Sequence, residues 1–214
     1  MAKYEYLLFD LDGTLTDSGP GIMNGFEYAL TKMGVKVPER SSLRRFVGPP
    51  LSDSFEKVLG FSPEDAAKGI ALYKEYYADK GVYENEVYPG IKELLESLKS
   101  SCKKMIVATT KAELMANVVM DHFELRKFFD LIVASNTTDR KNKIDVIKYA
   151  LETGKADTEK AVMIGDRFYD VKGASHFGMD SIGVLYGYGN RQELEDAGAT
   201  YIAETVKDLP GILL

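Results

Sequence analysis

Apolar residues recur along this chain in two rhythms. The first run, Leu7-Leu8-Phe9, stops at Asp10 and has the length and continuity of a strand buried on both faces. From 18 to 85 the spacing is helical. Ile22, Phe26, Ala29, Leu30 and Met33 recur every three or four residues, and Gly34 follows as a stop. Ser41 or Ser42 is expected to cap a short helix through Leu43 and Phe46, and Ser52 another that turns Phe55, Val58 and Leu59 inward. Ser62-Pro63-Glu64-Asp65 reads as a helix start, with a cap, proline at the first position and acids in the first turn. Its stripe runs from Ala67 to Tyr77, and no strand is expected between Pro20 and Lys80.

After Tyr88-Pro89-Gly90 the pattern alternates. Short apolar runs at 105–108, 131–134, 161–164 and 181–184, with Tyr201-Ile202, read as strands. Between them lie helical stripes: Ile91, Leu94, Leu95 and Leu98, then Leu114, Val118 and Val119. Ile144, Val146, Ile147, Ala150 and Leu151 form another, with further helices at 171–177, at 192–197 and weakly at the end. Repeated strand–helix units imply an α/β fold, a parallel sheet with helices on both faces. The expected organisation is a core of residues 1–17 and 86–214 interrupted by an all-helical insertion at 18–85. No internal repeat or low-complexity segment appears.

Composition narrows the class. The 214 residues are 45% hydrophobic and 28% charged, as in ordinary globular proteins, with a net charge of -6. No concentrated basic surface suggests nucleic acid as a partner, and no apolar run approaches a membrane span. The single cysteine, Cys102, excludes an intrachain disulfide and cysteine-rich zinc motifs. The opening Met1-Ala2-Lys3-Tyr4-Glu5 lacks the features of a signal peptide, so a cytoplasmic location is expected.

The candidate chemistry sits at strand ends, where parallel sheets gather ligands. Asp10 and Asp12 flank Leu11, and Gly13 lets the backbone turn beneath them. Two carboxylates so close need a metal ion or a shared proton to separate their roles. Alone, the pair reads first as turn residues capping a strand. Thr109 could donate to a phosphate oxygen, while Thr110 reads first as a helix cap. Lys141 and Lys143 precede a helix and could neutralise a site of aspartates and phosphate. Asp166, with Asp170 one helical turn later, has the carboxylate chemistry that magnesium prefers.

Asp10-Leu11-Asp12-Gly13-Thr14-Leu15, then Thr109, Lys143 and Gly165-Asp166 with Asp170, resemble in order the four motifs of the haloacid-dehalogenase-like superfamily. The likeness implies a Rossmann-like core with a helical cap between the first two motifs. Lys143 is chosen over Lys141 because Lys-Ile-Asp-Val-Ile resembles a form seen in some members. Phe46-Val47-Gly48-Pro49-Pro50-Leu51 and the stretch 183–189 are similar to phosphoglycolate-phosphatase-like proteins, and 5′-nucleotidases look alike over the same segments.

The resemblance implies a magnesium-dependent phosphatase acting on a small phosphomonoester. Asp10 would be the nucleophile and Asp12 the acid and base. Mg2+ would be held by Asp10, the Asp12 carbonyl and Asp166, with Asp170 as a direct or outer ligand. Gly13, Thr109, Thr110 and Lys143 would bind phosphate, and Arg45 and Gly48 would touch the leaving group. Residues 17–21 and 81–89 are the expected hinges, and a monomer or small homo-oligomer is expected. Asp12 sets the chain apart from true haloacid dehalogenases, which lack this acid. A sugar phosphomutase and a non-catalytic binding module are the rival readings. His122 and His176 lie outside the pattern.

Overall fold

The computed structural model describes residues 3–214. Met1 and Ala2, counted above in the core and in the opening segment, lie outside the described residues. The chain folds as two units, one running up to Thr16 and resuming over Val87–Leu214, the other spanning Asp17–Glu86.

The chain opens with β1 (Tyr6–Phe9) and the short β2 (Thr16–Asp17), then enters the second unit through α1 (Gly19–Lys32). Two short turns of helix follow, α2 (Arg40–Leu43) and α3 (Leu51–Asp53), then α4 (Pro63–Tyr76). This unit is helical as expected. Its core is aromatic: the Phe26 ring stacks on Phe46 at 4.5 Å and on Phe55 at 5.0 Å, with Tyr73 tilted beside it. Ser62 caps α4 by accepting from the Asp65 N–H. The other expected caps fail. Prolines place both starts early: α2 begins just after Pro38-Glu39 and α3 just after Pro50, so Ser41, Ser42 and Ser52 fall inside the helices. Val58, expected inward, is exposed.

The chain returns through β3 (Glu86–Val87), which pairs with β2, a pairing no apolar pattern announced. The remainder alternates: α5 (Ile91–Ser100), β4 (Lys104–Ala112), α6 (Glu113–His122), β5 (Leu131–Ser135), α7 (Lys143–Gly154) and β6 (Ala161–Gly165). Then come α8 (Phe168–His176), β7 (Asp180–Val184), α9 (Arg191–Ala197), β8 (Tyr201–Ala203) and α10 (Leu209–Leu213). Six strands form one parallel sheet in the order β5-β4-β1-β6-β7-β8.

Residues alternate between faces along each strand. Leu8, Ile106 and Met163 pack with Val146, Ile147 and Ala150 of α7 and Ala174 of α8. Leu7, Phe9, Val107 and Ile164 are equally buried, which requires cover on the opposite face too. Phe9 meets Phe129 edge-on there.

Two expectations about this unit need correction. Thr110 does not cap α6, because β4 runs on to Ala112, which is the N-cap residue and makes no side-chain bond. Leu114 is 71% exposed, and Ile144 also faces outward; α6 buries Ala116, Val119 and Met120 instead. Among the described residues no helix is long and apolar enough to cross a membrane.

Candidate active site

β1 lies between β4 and β6, so the ends of three adjacent strands share one edge. Asp10 follows β1 directly, and its N–H donates to the Ile164 carbonyl at 2.9 Å, prolonging the ladder. Asp166 follows β6, and Asp170 sits in the first turn of α8. One carboxylate oxygen from each of Asp10, Asp166 and Asp170 lies within 4.8 Å of the others, and all three residues are buried. They converge despite a separation of more than 150 positions in sequence.

Lys143, the first residue of α7, is buried among them. Its Nζ is 2.9 Å from Asp10 Oδ1 and 2.7 Å from Asp170 Oδ1, and it donates to the Ala108 carbonyl at 3.0 Å. Asn142 caps α7 by accepting from the Asp145 N–H, which fixes where Lys143 starts. Lys141 is exposed and offers only its backbone N–H, to Asp145. Lys143 alone of the two reaches the cluster.

Burial pushes Asp10 up to about 6; the Lys143 ammonium opposes this, while Asp170 and Asp12 add to it. Asp166 is raised well above the ordinary carboxylate range, first by burial and then by Asp170 and Asp10, against the Tyr188 N–H. For Lys143, burial alone would lower the pKa, but the charges of Asp10 and Asp170 hold it above the usual lysine value. Were all its acids ionised, the buried carboxylates of the cluster would outnumber the ammonium groups that face them.

Asp166 accepts from the Tyr188 N–H through Oδ2 at 2.7 Å, while its buried Oδ1 has no hydrogen-bond partner. Glycines crowd around it. A Cβ on Gly13, whose φ is +83°, would come within 2.2 Å of Asp166 Oδ2, and one on Gly187 within 2.4 Å of Asp166 Cβ. Asp170 Oδ2 accepts from the Arg167 N–H and closes the start of α8.

Thr109 is buried, and its hydroxyl oxygen accepts from the Lys111 N–H. Thr110, next along β4, is half-buried. Arg45 and Gly48 belong to the helical unit, where the Arg45 guanidinium lies over the Phe46 ring. His122 and His176 end α6 and α8 and are exposed.

Two features escaped the reading of the sequence. Lys111 forms an ion pair with Asp12, at 2.9 Å to Oδ1 and 3.1 Å to Oδ2. Tyr186 donates to the Thr14 carbonyl at 3.1 Å, bracing the turn after Asp12. Lys111 had a visible signal, a lysine two residues past a strand-end threonine. Tyr186 had none beyond its place in the resembling stretch.

Residues 7–184 match the family described as haloacid dehalogenase-like hydrolases. The chain is 36% identical over 212 residues to a 5′-nucleotidase of Pseudomonas aeruginosa, covering 99% of this chain and 96% of that one. It is also 36% identical over 209 residues to the tyrosine-protein kinase PtkA of Mycobacterium tuberculosis, covering 96% of this chain and 71% of that protein. Among solved structures, one described as a predicted phosphatase from Clostridium acetobutylicum superposes with a TM-score of 0.92 at 47% identity, over 96% of each chain.

Proposed function

The chain belongs to the haloacid dehalogenase-like hydrolase family and is a phosphoric monoester hydrolase, and on that premise we propose that it is magnesium-dependent and works through a phosphorylated Asp10. The observation that carries the reading is the convergence of Asp10, Asp166 and Asp170 around Lys143.

The donor set fits a hard divalent cation. Four buried carboxylates, those of Asp10, Asp12, Asp166 and Asp170, face two ammonium groups, Lys111 and Lys143, an excess of two negative charges when all are ionised. Carboxylate oxygens are what magnesium takes, usually with water and substrate phosphate completing the shell. The unpartnered Oδ1 of Asp166 supports the same assignment. Asp10, Asp166 and Asp170, with the Asp12 carbonyl, would hold the ion, and when bound it would polarise the phosphoryl oxygens.

In the proposed reaction Asp10 attacks phosphorus in line with the ester bond, which breaks as the new bond forms. Asp12 gives a proton to the departing oxygen, then takes one from the water that hydrolyses the phosphorylated Asp10. Lys143 orients Asp10 and, with Thr109, Thr110 and the turn at Gly13, offsets the charge of the transferring group.

The resemblance of residues 46–51 and 183–189 leaves phosphoglycolate, another small phosphomonoester and a nucleoside monophosphate open as substrates. The full-length likeness to a protein named a 5′-nucleotidase favours a nucleoside 5′-monophosphate, which is therefore the first compound to test. Phosphate release from a panel of both compounds and other small phosphomonoesters, with magnesium or EDTA, is the test. Turnover should vanish in EDTA, and Asp10→Asn should lower it at least about 10³-fold with an unchanged circular dichroism spectrum. Full activity in Asp10→Asn, or in EDTA, sinks the mechanism. Phosphate retained on an acceptor hydroxyl rather than released would instead support a transferase, the phosphomutase reading among them. Complete inertness on the panel would favour a binding module.

A further inference from the structure

Lys111 stands apart from the other charged groups of the site, because a break in the sheet delivers it. Thr109 of β4 is level with Ala134 of β5, and Ala112 is level with Ser135. Between those rungs β4 carries two residues, Thr110 and Lys111, that β5 does not match. Such a bulge bends a strand and re-aims its side chains. The Thr109 hydroxyl accepts from the Lys111 N–H and pins the turn at 3.2 Å.

From there the Lys111 ammonium reaches both carboxylate oxygens of Asp12. The two side chains are all but closed to water, at 5% and 11% exposure. An exposed pair of this kind would do little. A buried two-point contact instead restricts which way the carboxyl group faces, and proton transfer demands that restriction, since the donor must lie within hydrogen-bond reach of the departing oxygen.

We propose that Lys111 is a positioning residue for Asp12, holding its carboxyl group in the orientation that hands a proton to the leaving oxygen. The inference rests on the phosphatase reading above. In the step concerned, the bond from Asp10 to phosphorus forms and the ester P–O bond breaks. The ester oxygen keeps the bonding pair and takes the proton from Asp12, which later regains one from the attacking water. Lys111 exchanges no proton and touches no substrate atom.

The test uses the leaving group. Nitrophenolate departs without a proton, whereas an alkoxide needs one. Values of kcat/KM, which report steps up to leaving-group departure, should be compared for p-nitrophenyl phosphate and a simple alkyl phosphate in the magnesium-loaded full chain. Lys111→Met should lose on the order of 10²-fold on the alkyl ester and less than about 3-fold on the nitrophenyl ester. Asp12→Asn should lose at least as much as Lys111→Met on the alkyl ester, and adding Lys111→Met to it should cost that ester no more, because residues acting as one unit are not additive. Lys111→Arg should recover most of the alkyl rate.

Equal losses on both esters, no loss on the alkyl ester, or additive effects with Asp12→Asn would each overturn the proposal. Retained nitrophenyl turnover itself reports a folded variant. Should Lys111→Met not fold, Lys111→Gln carries the same comparison. A wild-type protein inert on both esters and on the whole panel above removes the phosphatase reading, and this inference with it.

Discussion

Lys143 is the residue on which the buried charge depends. Its ammonium separates Asp10 from Asp170, and removing one partner from a buried ionic group leaves the rest uncompensated. Lys143→Met should therefore lower stability by about 3 kcal/mol in denaturant titration, and lower kcat on the order of 10³-fold. An unchanged midpoint would mean that the carboxyls accommodate each other without it. Gly187 tests position rather than charge. Its φ lies outside the left-handed region, so alanine meets only bulk, 2.3 Å from the Gly13 carbonyl oxygen and 2.4 Å from Asp166 Cβ. Gly187→Ala should cut kcat/KM at least about 100-fold, as a small misplacement of a catalytic group can, and raise the magnesium concentration for half-maximal rate. Asp10 and Asp166 could be picked out in the sequence as carboxylates placed where apolar runs stop, whereas Lys143 was separated from Lys141 only by its resemblance to a form seen in some family members. Lys111 could not be weighed the same way. Its importance comes from a two-residue bulge, and hydrophobic periodicity carries no record of a bulge.

At the scale of elements, what positions the chemistry is where strands stop and helices start. Strands β1, β4 and β6 were legible as apolar runs, since both faces of the sheet are buried and no alternation dilutes the signal. Their ends were less so. β4 continues through Thr109, Thr110 and Lys111 to Ala112, polar residues that an apolar-run reading assigns to a loop. α6 shows the same limit, as Leu114 faces solvent in the first turn while Ala116 packs inward. Helix starts set by proline displaced the expected serine caps, whereas Ser62, directly followed by Pro63, kept its cap. The start of α7 matters most for the site, because one residue separates cap from lysine. Asn142→Ala removes the acceptor for the Asp145 N–H and should destabilise the protein by about 1 kcal/mol. A loss of kcat beyond what that instability explains would show that the cap also holds Lys143 in register. Unchanged stability would mean that packing of Val146, Ile147 and Ala150 alone fixes the helix.

For the whole molecule, the fold was predictable from alternation of strand and helix, and the short β2–β3 pair was not, being two residues a side with no apolar pattern. What no local pattern reveals is the sum of charge buried where the strands end. That sum has a consequence for stability. Asp10 is held at about 6 and Asp166 above the ordinary carboxylate range, both first by burial, so the folded chain binds these protons more tightly than the unfolded one. Stability must then fall as pH rises from the unfolded carboxyl value near about 4 through the folded values. Each pH unit of that window is worth about 1.4 kcal/mol for one carboxyl. Asp121, Asp139 and Asp208, exposed and held low by their partners, act with the opposite sign, but their effect is complete by about pH 4. The decline above that point therefore belongs to the site. Thermal melts in EDTA should lose several degrees between about pH 5 and pH 7, and saturating magnesium should flatten the curve by favouring the ionised carboxyls. Asp166→Asn should make the metal-free curve shallower without any cation, leaving the part due to Asp10. Parallel slopes with and without magnesium, in a protein whose Asp166→Asn variant also melts in parallel, would show that the buried acids do not govern the fold's response to pH.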